Sequence, residues 1–182
     1  MKEIICVVAK TGRGKDTLAK RISVELDIPV LVSYTTREMR EDDIPDVSHY
    51  FVTDERMEDI LKSENVIAYA KKKSGVQYCA TLESIKADKT IYIVDPEGID
   101  YLTANFKDKV KLFVVELWAD DEVIEARIRE RGDDWSMYEE RKSNEMEEFN
   151  NFHNSNKWDI SLDATMSRDA VFEAFKTAYL SR

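Results

Sequence analysis

Nine residues near the start of the chain, Ala9-Lys10-Thr11-Gly12-Arg13-Gly14-Lys15-Asp16-Thr17, hold two of its five glycines within three positions. Glycine reaches backbone conformations closed to other residues, so neighbouring N–H groups can converge on an anion. A helix opening directly after such a turn adds its dipole at the same point. Lys15 then reaches the outer phosphates of a bound nucleotide. Phosphate loops of this kind bracket four residues between two glycines, ahead of Lys and Ser or Thr. The chain departs from that pattern twice: Ala9 takes the place of the first glycine, and Asp16 takes the place of the magnesium-binding hydroxyl. Asp16, directly or through water, and the neighbouring Thr17 are the candidate metal ligands. The competing reading is an ordinary strand-to-helix turn with incidental glycines.

A second cluster is Ser33-Tyr34-Thr35-Thr36-Arg37-Glu38-Met39-Arg40. Two arginines three apart, preceded by hydroxyls, suit a second phosphate, because guanidinium binds phosphate in a planar, bidentate way that lysine cannot copy. His49, Tyr50 and Tyr78 offer further polar tips. Here the competing reading is a solvated loop in which Arg37 and Arg40 pair with Glu41, Asp42 or Asp43.

These residues need a frame. Apolar runs at 4–8, 28–33, 91–94, 110–118 and 158–162 read as strands. Helical periods at 15–26, 96–105, 120–131 and 167–180 lie between them. Strands alternating with helices predict an α/β fold with a mainly parallel central sheet and helices on both faces. Two stretches break the alternation. Residues 33–84 are polar, with a short β-prone piece at 49–52 and a helix at 54–63. Residues 120–152 are charged and helical, interrupted near Gly132. Both read as lobes on one core.

Taken together, the two clusters resemble the guanylate kinase family. The resemblance runs through Ser33-Tyr34-Thr35-Thr36-Arg37-Glu38-Met39-Arg40, Asp43, His49-Tyr50-Phe51-Val52, Gly75-Val76-Gln77-Tyr78, Asp95-Pro96-Glu97-Gly98 and Arg127-Ile128-Arg129-Glu130-Arg131-Gly132-Asp133, with Arg141 in the next helix. It covers nearly the whole chain, and the Thr-Thr-Arg-x-x-Arg piece is its most specific part. It implies a P-loop NTPase three-layer fold with an inserted nucleotide-monophosphate-binding lobe and a helical lid. The core would be 1–32, 85–119 and 153–182, the acceptor lobe 33–84 and the lid 120–152. It also implies ATP, with Mg²⁺, on Gly12, Arg13, Gly14, Lys15, Asp16, Thr17 and Arg127. The acceptor would lie on Ser33, Arg37, Arg40, His49, Tyr78 and Asp95. Lys15, Arg37, Arg131 and Arg141 would be catalytic, the lid arginines swinging in on closure. Three positions depart from the family. Ala68 takes the place of its guanine-reading carboxylate, with Glu64 nearby. Ile93 stands where an aspartate is common, and His49 replaces a phosphate-binding tyrosine. The resemblance itself implies GMP or dGMP as acceptor. Another deoxynucleoside monophosphate or ribose 1,5-bisphosphate is the alternative, and an inactive binding module is the alternative of a different class.

Composition bounds the rest. The chain has 182 residues, 43% hydrophobic and 35% charged, enough for a real core. A net charge of −10 disfavours a broad nucleic-acid surface, since duplex binding draws on phosphate neutralisation. No apolar run reaches the length of a membrane span, and no secretory signal is visible. Two cysteines and two histidines form no disulfide framework or zinc pattern, so a reducing cytoplasm is expected.

Overall fold

The computed structural model describes residues 1–41, 43–63 and 65–182. Asp42 and Glu64, named above as a pairing partner and a nearby carboxylate, lie outside the described residues. Strand β1 (Lys2–Val8) is the centre of the fold. Its residues alternate between two apolar clusters: Ile5 and Val7 join one, and Ile4, Cys6 and Val8 the other. A strand apolar at every position from Ile4 to Val8 is thus buried on both faces. It pairs in parallel with β6 (Lys89–Ile93) and β7 (Val110–Trp118), and β7 pairs in parallel with β8 (Ile160–Asp163). The order is β6-β1-β7-β8. The first cluster packs helices α1 (Lys15–Leu26), α4 (Asp121–Arg131) and α6 (Arg168–Leu180) on one face. The second packs α3 (Pro96–Phe106) and the end of α5 (Trp135–Ser155) on the other.

One expected strand is absent from that sheet. Residues 28–33 run beside β6 with a single parallel bridge, Val30 to Ile91. Pro29 has no N–H to give, and only its carbonyl and the Leu31 N–H bond to Ile91.

The first inserted stretch forms a second sheet. Strand β2 (Tyr34–Thr35) lies between β3 (Tyr50–Phe51), parallel, and β5 (Gln77–Thr81), antiparallel. Strand β4 (Val66–Lys71) pairs antiparallel with β5. Helix α2 (Asp54–Leu61) covers it with Met57 and Ile60 against Val66 and Cys79. The break in the charged stretch falls at Gly132, which caps α4 with φ +73°. Among the described residues no helix is long and apolar enough to cross a membrane.

Candidate active site

In the turn between β1 and α1, Lys10 and Arg13 are buried while Gly12 and Gly14 are exposed. Arg13 is buried and donates to the Ala119 carbonyl (2.6 Å) and to Asp121 (2.8 Å). Its guanidinium lies 4.5 Å from the Trp118 ring. Lys10 reaches the same Asp121 at 3.3 Å. Arg13 is therefore left with its N–H alone for a ligand, and that N–H rests on the Lys10 carbonyl at 3.4 Å. Gly12 (φ +79°) and Gly14 (φ +83°) adopt the left-handed conformation that glycine favours. A Cβ on Gly12 would stand 2.8 Å from Ile124 Cγ2 of α4. Gly14 is the N-cap of α1, and Lys15 begins the helix. The Lys15 ammonium is half-buried, with Asp16 at 4.0 Å as its nearest acid among the described residues. Asp16 and Thr17 are exposed in the first turn. A carboxylate and a hydroxyl facing solvent beside the loop are hard oxygen donors that fit Mg²⁺.

The arginine cluster is built by its threonines. Thr35 Oγ1 donates to the Gln77 carbonyl and accepts the Arg37 N–H. Thr36 Oγ1 accepts the Gln77 N–H. Together they fasten β2 to β5 and aim the chain that follows. Arg37 pairs in a fork with Asp43 at 2.8 and 3.1 Å. This pair holds the Asp43 carboxyl down at about 2, Arg37 being the largest cause, and raises the Arg37 pKa. Asp43 also accepts the Arg40 N–H. The Arg40 guanidinium is shifted down by desolvation, then by the charges of Arg141 and Arg37. Neither Arg40 nor Arg141 has a carboxylate partner among the described residues; Arg141 Nη2 donates to Met137 Sδ at 3.2 Å. His49 shares a hydrogen bond with Ser33 Oγ at 3.0 Å and packs edge-on to Tyr78 at 5.8 Å. Burial, then Arg37, lowers its pKa, so it is neutral at pH 7. Arg37, Arg40 and Arg141 thus form one cationic wall between the small sheet and α5, with the uncharged His49, Ser33 and Tyr78 beside it.

Asp95 caps α3 at the end of β6 and pairs with Lys72, from the turn after β4. Lys72 also lies 3.7 Å from Glu148 of α5. Burial lowers the Lys72 pKa, but Asp95 and Glu148 carry it above the ordinary value. Glu148 accepts the Glu97 N–H, and Glu145, one turn earlier on α5, accepts the Thr11 N–H at 2.7 Å. Lys72, Glu145 and Glu148 were not legible in the sequence. In α5 each acid looks like part of a solvated charged face, and their only signal is the three-residue spacing that puts both on one side of the helix.

Two predicted residues stand apart from this wall. Arg127 donates to the carbonyls of Ala164 and Thr165, ahead of α6. Arg131 is exposed and pairs with Asp133. Ala68 is 1% exposed and packs with Ala80 and Val94 in the second apolar cluster.

The sequence profile described as "Guanylate kinase" matches residues 1–176. The guanylate kinase of Prochlorococcus marinus subsp. pastoris is 27% identical over 138 residues, covering 72% of this chain and 73% of that protein. That of Lactiplantibacillus plantarum is 29% identical over 158 residues, covering 83% and 76%. In fold, the crystal structure of guanylate kinase from Anaplasma phagocytophilum superposes with a TM-score of 0.68 at 14% identity, over 99% of this chain and 85% of that one. Phosphate loop, arginine wall and sequence profile agree, and the chain belongs to the guanylate kinase family.

Proposed function

We propose that the protein transfers the γ-phosphate of ATP to a nucleoside monophosphate, GMP or dGMP, releasing ADP and the nucleoside diphosphate. The observation that carries this reading is the convergence of Arg37, Arg40 and Arg141, of which only Arg37 has a carboxylate partner among the described residues. Such a wall is made for a phosphate brought by a second substrate. We assign residues 33–84 to the acceptor lobe, 120–152 to the lid, and the remainder to the core.

Phosphoryl transfer asks the protein for position and positive charge rather than covalent chemistry. Lys15 and the N–H groups of Gly12, Arg13, Gly14, Asp16 and Thr17 hold the ATP phosphates. Arg37 is fixed by Asp43, so it meets the acceptor phosphate already oriented. Arg40, Tyr78 and His49 complete that contact, with Ser33 setting the His49 ring and Asp95 at the acceptor's far side. Arg141 stands between the two phosphates. Arg127 and Arg131 reach them after leaving Ala164, Thr165 and Asp133, a movement that lid closure supplies. Asp16 and Thr17 hold Mg²⁺, which when bound neutralises charge on the transferring group. Closure excludes water and suppresses ATP hydrolysis. With a net charge of −10 and both thiols free and buried, we place the protein in the cytoplasm, acting on nucleotides rather than nucleic acid.

A second reading keeps the reaction and changes the acceptor. It is favoured by the apolar burial of Ala68 where the family's guanine reader belongs. Buried base donors left without an acceptor cost about 1–3 kcal/mol each. ADP release from Mg-ATP, measured against GMP, dGMP, AMP, CMP, UMP, dTMP and ribose 1,5-bisphosphate, decides. Turnover with GMP or dGMP alone supports the first reading, and turnover with another acceptor alone the second. Absence of both turnover and ATP binding would turn the reading to an inactive binding module. In the active protein, Lys15→Ala and Arg37→Ala are each expected to lower turnover about a hundredfold or more with the fold intact. An unchanged rate removes that residue from the mechanism.

A further inference from the structure

The phosphate loop of this protein already has an anion on it. Glu145 of α5 is half-buried, and its Oε2 accepts the Thr11 N–H at 2.7 Å. Its carboxyl is raised by burial and pulled back by that N–H and by Lys15. Lys15 begins α1, so a lid carboxylate stands within the field of the lysine assigned to the outer phosphates. The other charges around Glu145 are Lys72, from the turn after β4, and Asp95, at the cap of α3. Glu148, one turn on, is tied to Glu97 N–H and Lys72, so α5 is fastened at two points on this side.

A carboxylate and a triphosphate cannot share this corner. They are like charges in the field of the same Lys15 ammonium, and the Thr11 N–H that Glu145 occupies adjoins the N–H groups assigned to the phosphates. We propose that Glu145 is a lid-borne competitor for the ATP phosphates: without nucleotide its carboxylate fills the Thr11 side of the phosphate loop, and ATP binds as α5 withdraws it. The proposal rests on the ATP-site reading given above. Its consequence is that Glu145 sets ATP affinity. The fraction of molecules with α5 withdrawn scales the apparent affinity, so ATP binding and lid position are one equilibrium. Contact with the transferring group is not required of Glu145, and its role is that of a positioning residue.

The test is calorimetric titration of the full chain and of Glu145→Gln and Glu145→Ala with Mg-ATP, inorganic tripolyphosphate and adenosine. Glutamine keeps the size of the side chain and an oxygen for the Thr11 N–H, and removes the charge. We expect both variants to bind ATP and tripolyphosphate at least about threefold tighter, with adenosine unchanged. A merely structural role would lower thermal stability and weaken all three ligands together. Equal or weaker binding of ATP and tripolyphosphate in both variants overturns the competitor role while leaving the ATP site in place. If the wild-type chain and both variants bind neither, the ATP-site reading falls and the proposal with it.

Discussion

Asp43 does two jobs with one carboxylate: it holds both Nη atoms of Arg37 and accepts the Arg40 N–H. Its carboxyl is depressed from 3.8 to about 2. A group whose pKa falls on folding contributes stability above its unfolded pKa and loses it as pH drops through the folded one. Asp43→Asn is therefore expected to cost about 1–2 kcal/mol at pH 7, after a discount for the rim of solvent around the pair, and only a small fraction of that at pH 2, where the folded carboxyl is half protonated. Denaturant midpoints of both proteins across that range check it; an undiminished gap at pH 2 assigns the loss to packing. At this scale the sequence was informative about type and poor about partnership. The spacing of Arg37 and Arg40 suited a phosphate, with pairing to one of three acids, Asp43 among them, as the competing reading. Which acid it is depends on the turn after β2, which no local pattern specifies. Arg131 makes the same point in reverse, since the structure pairs it with Asp133 on the surface.

The loop between β1 and α1 shows what an element can demand of a residue. Gly12 and Gly14 share a left-handed backbone, yet their surroundings differ. A methyl at Gly12 meets Ile124 Cγ2, whereas one at Gly14 meets nothing within 4 Å. Gly14→Ala is expected to cost about 1 kcal/mol, the conformational penalty alone. Gly12→Ala should cost about 1–3 kcal/mol more, because Ile124 or the loop must shift. Urea midpoints of the two variants test the order, and equal losses would mean that α4 yields freely. The elements themselves were largely legible. The continuous apolar run of β1 predicts burial on both faces, and α1, α3, α4 and α6 fall close to their helical periods. The β4–β5 hairpin was not legible, because Ala68, Ala70 and Lys71 carry little β-propensity, and pairing with β5 overrides it. Residues 28–33 erred the other way: apolar enough for a strand, they are denied one by Pro29.

At the scale of the whole molecule, Lys72 joins three parts of the chain: the small sheet, the core through Asp95, and α5 through Glu148. Replacing it with methionine leaves those acids without their cation. We expect Lys72→Met to melt about 3–6 °C lower at pH 7, on the order of 1–2 kcal/mol. Burial raises the pKa of Glu145 and Glu148. A raised carboxyl binds its proton more readily folded than unfolded, so the deficit should shrink as pH falls from 7 to 5. Melting curves of the two proteins at both pH values measure it, and a deficit constant with pH would assign the loss to the lysine's aliphatic stem. Joins of this kind are what single-sequence reading loses, since 23 residues separate Lys72 from Asp95 and 76 separate it from Glu148. The tryptophans give the same joins an optical face. Trp118 is sandwiched behind the phosphate loop between the Arg13 guanidinium and the His153 ring, which stacks at 3.7 Å and 8°. Trp135, at the start of α5, carries the Arg129 guanidinium 3.7 Å above it. The phosphate loop and α5 therefore each hold an indole against a guanidinium, and a shift of either on adding Mg-ATP is expected to change the protein's own ultraviolet emission without a dye.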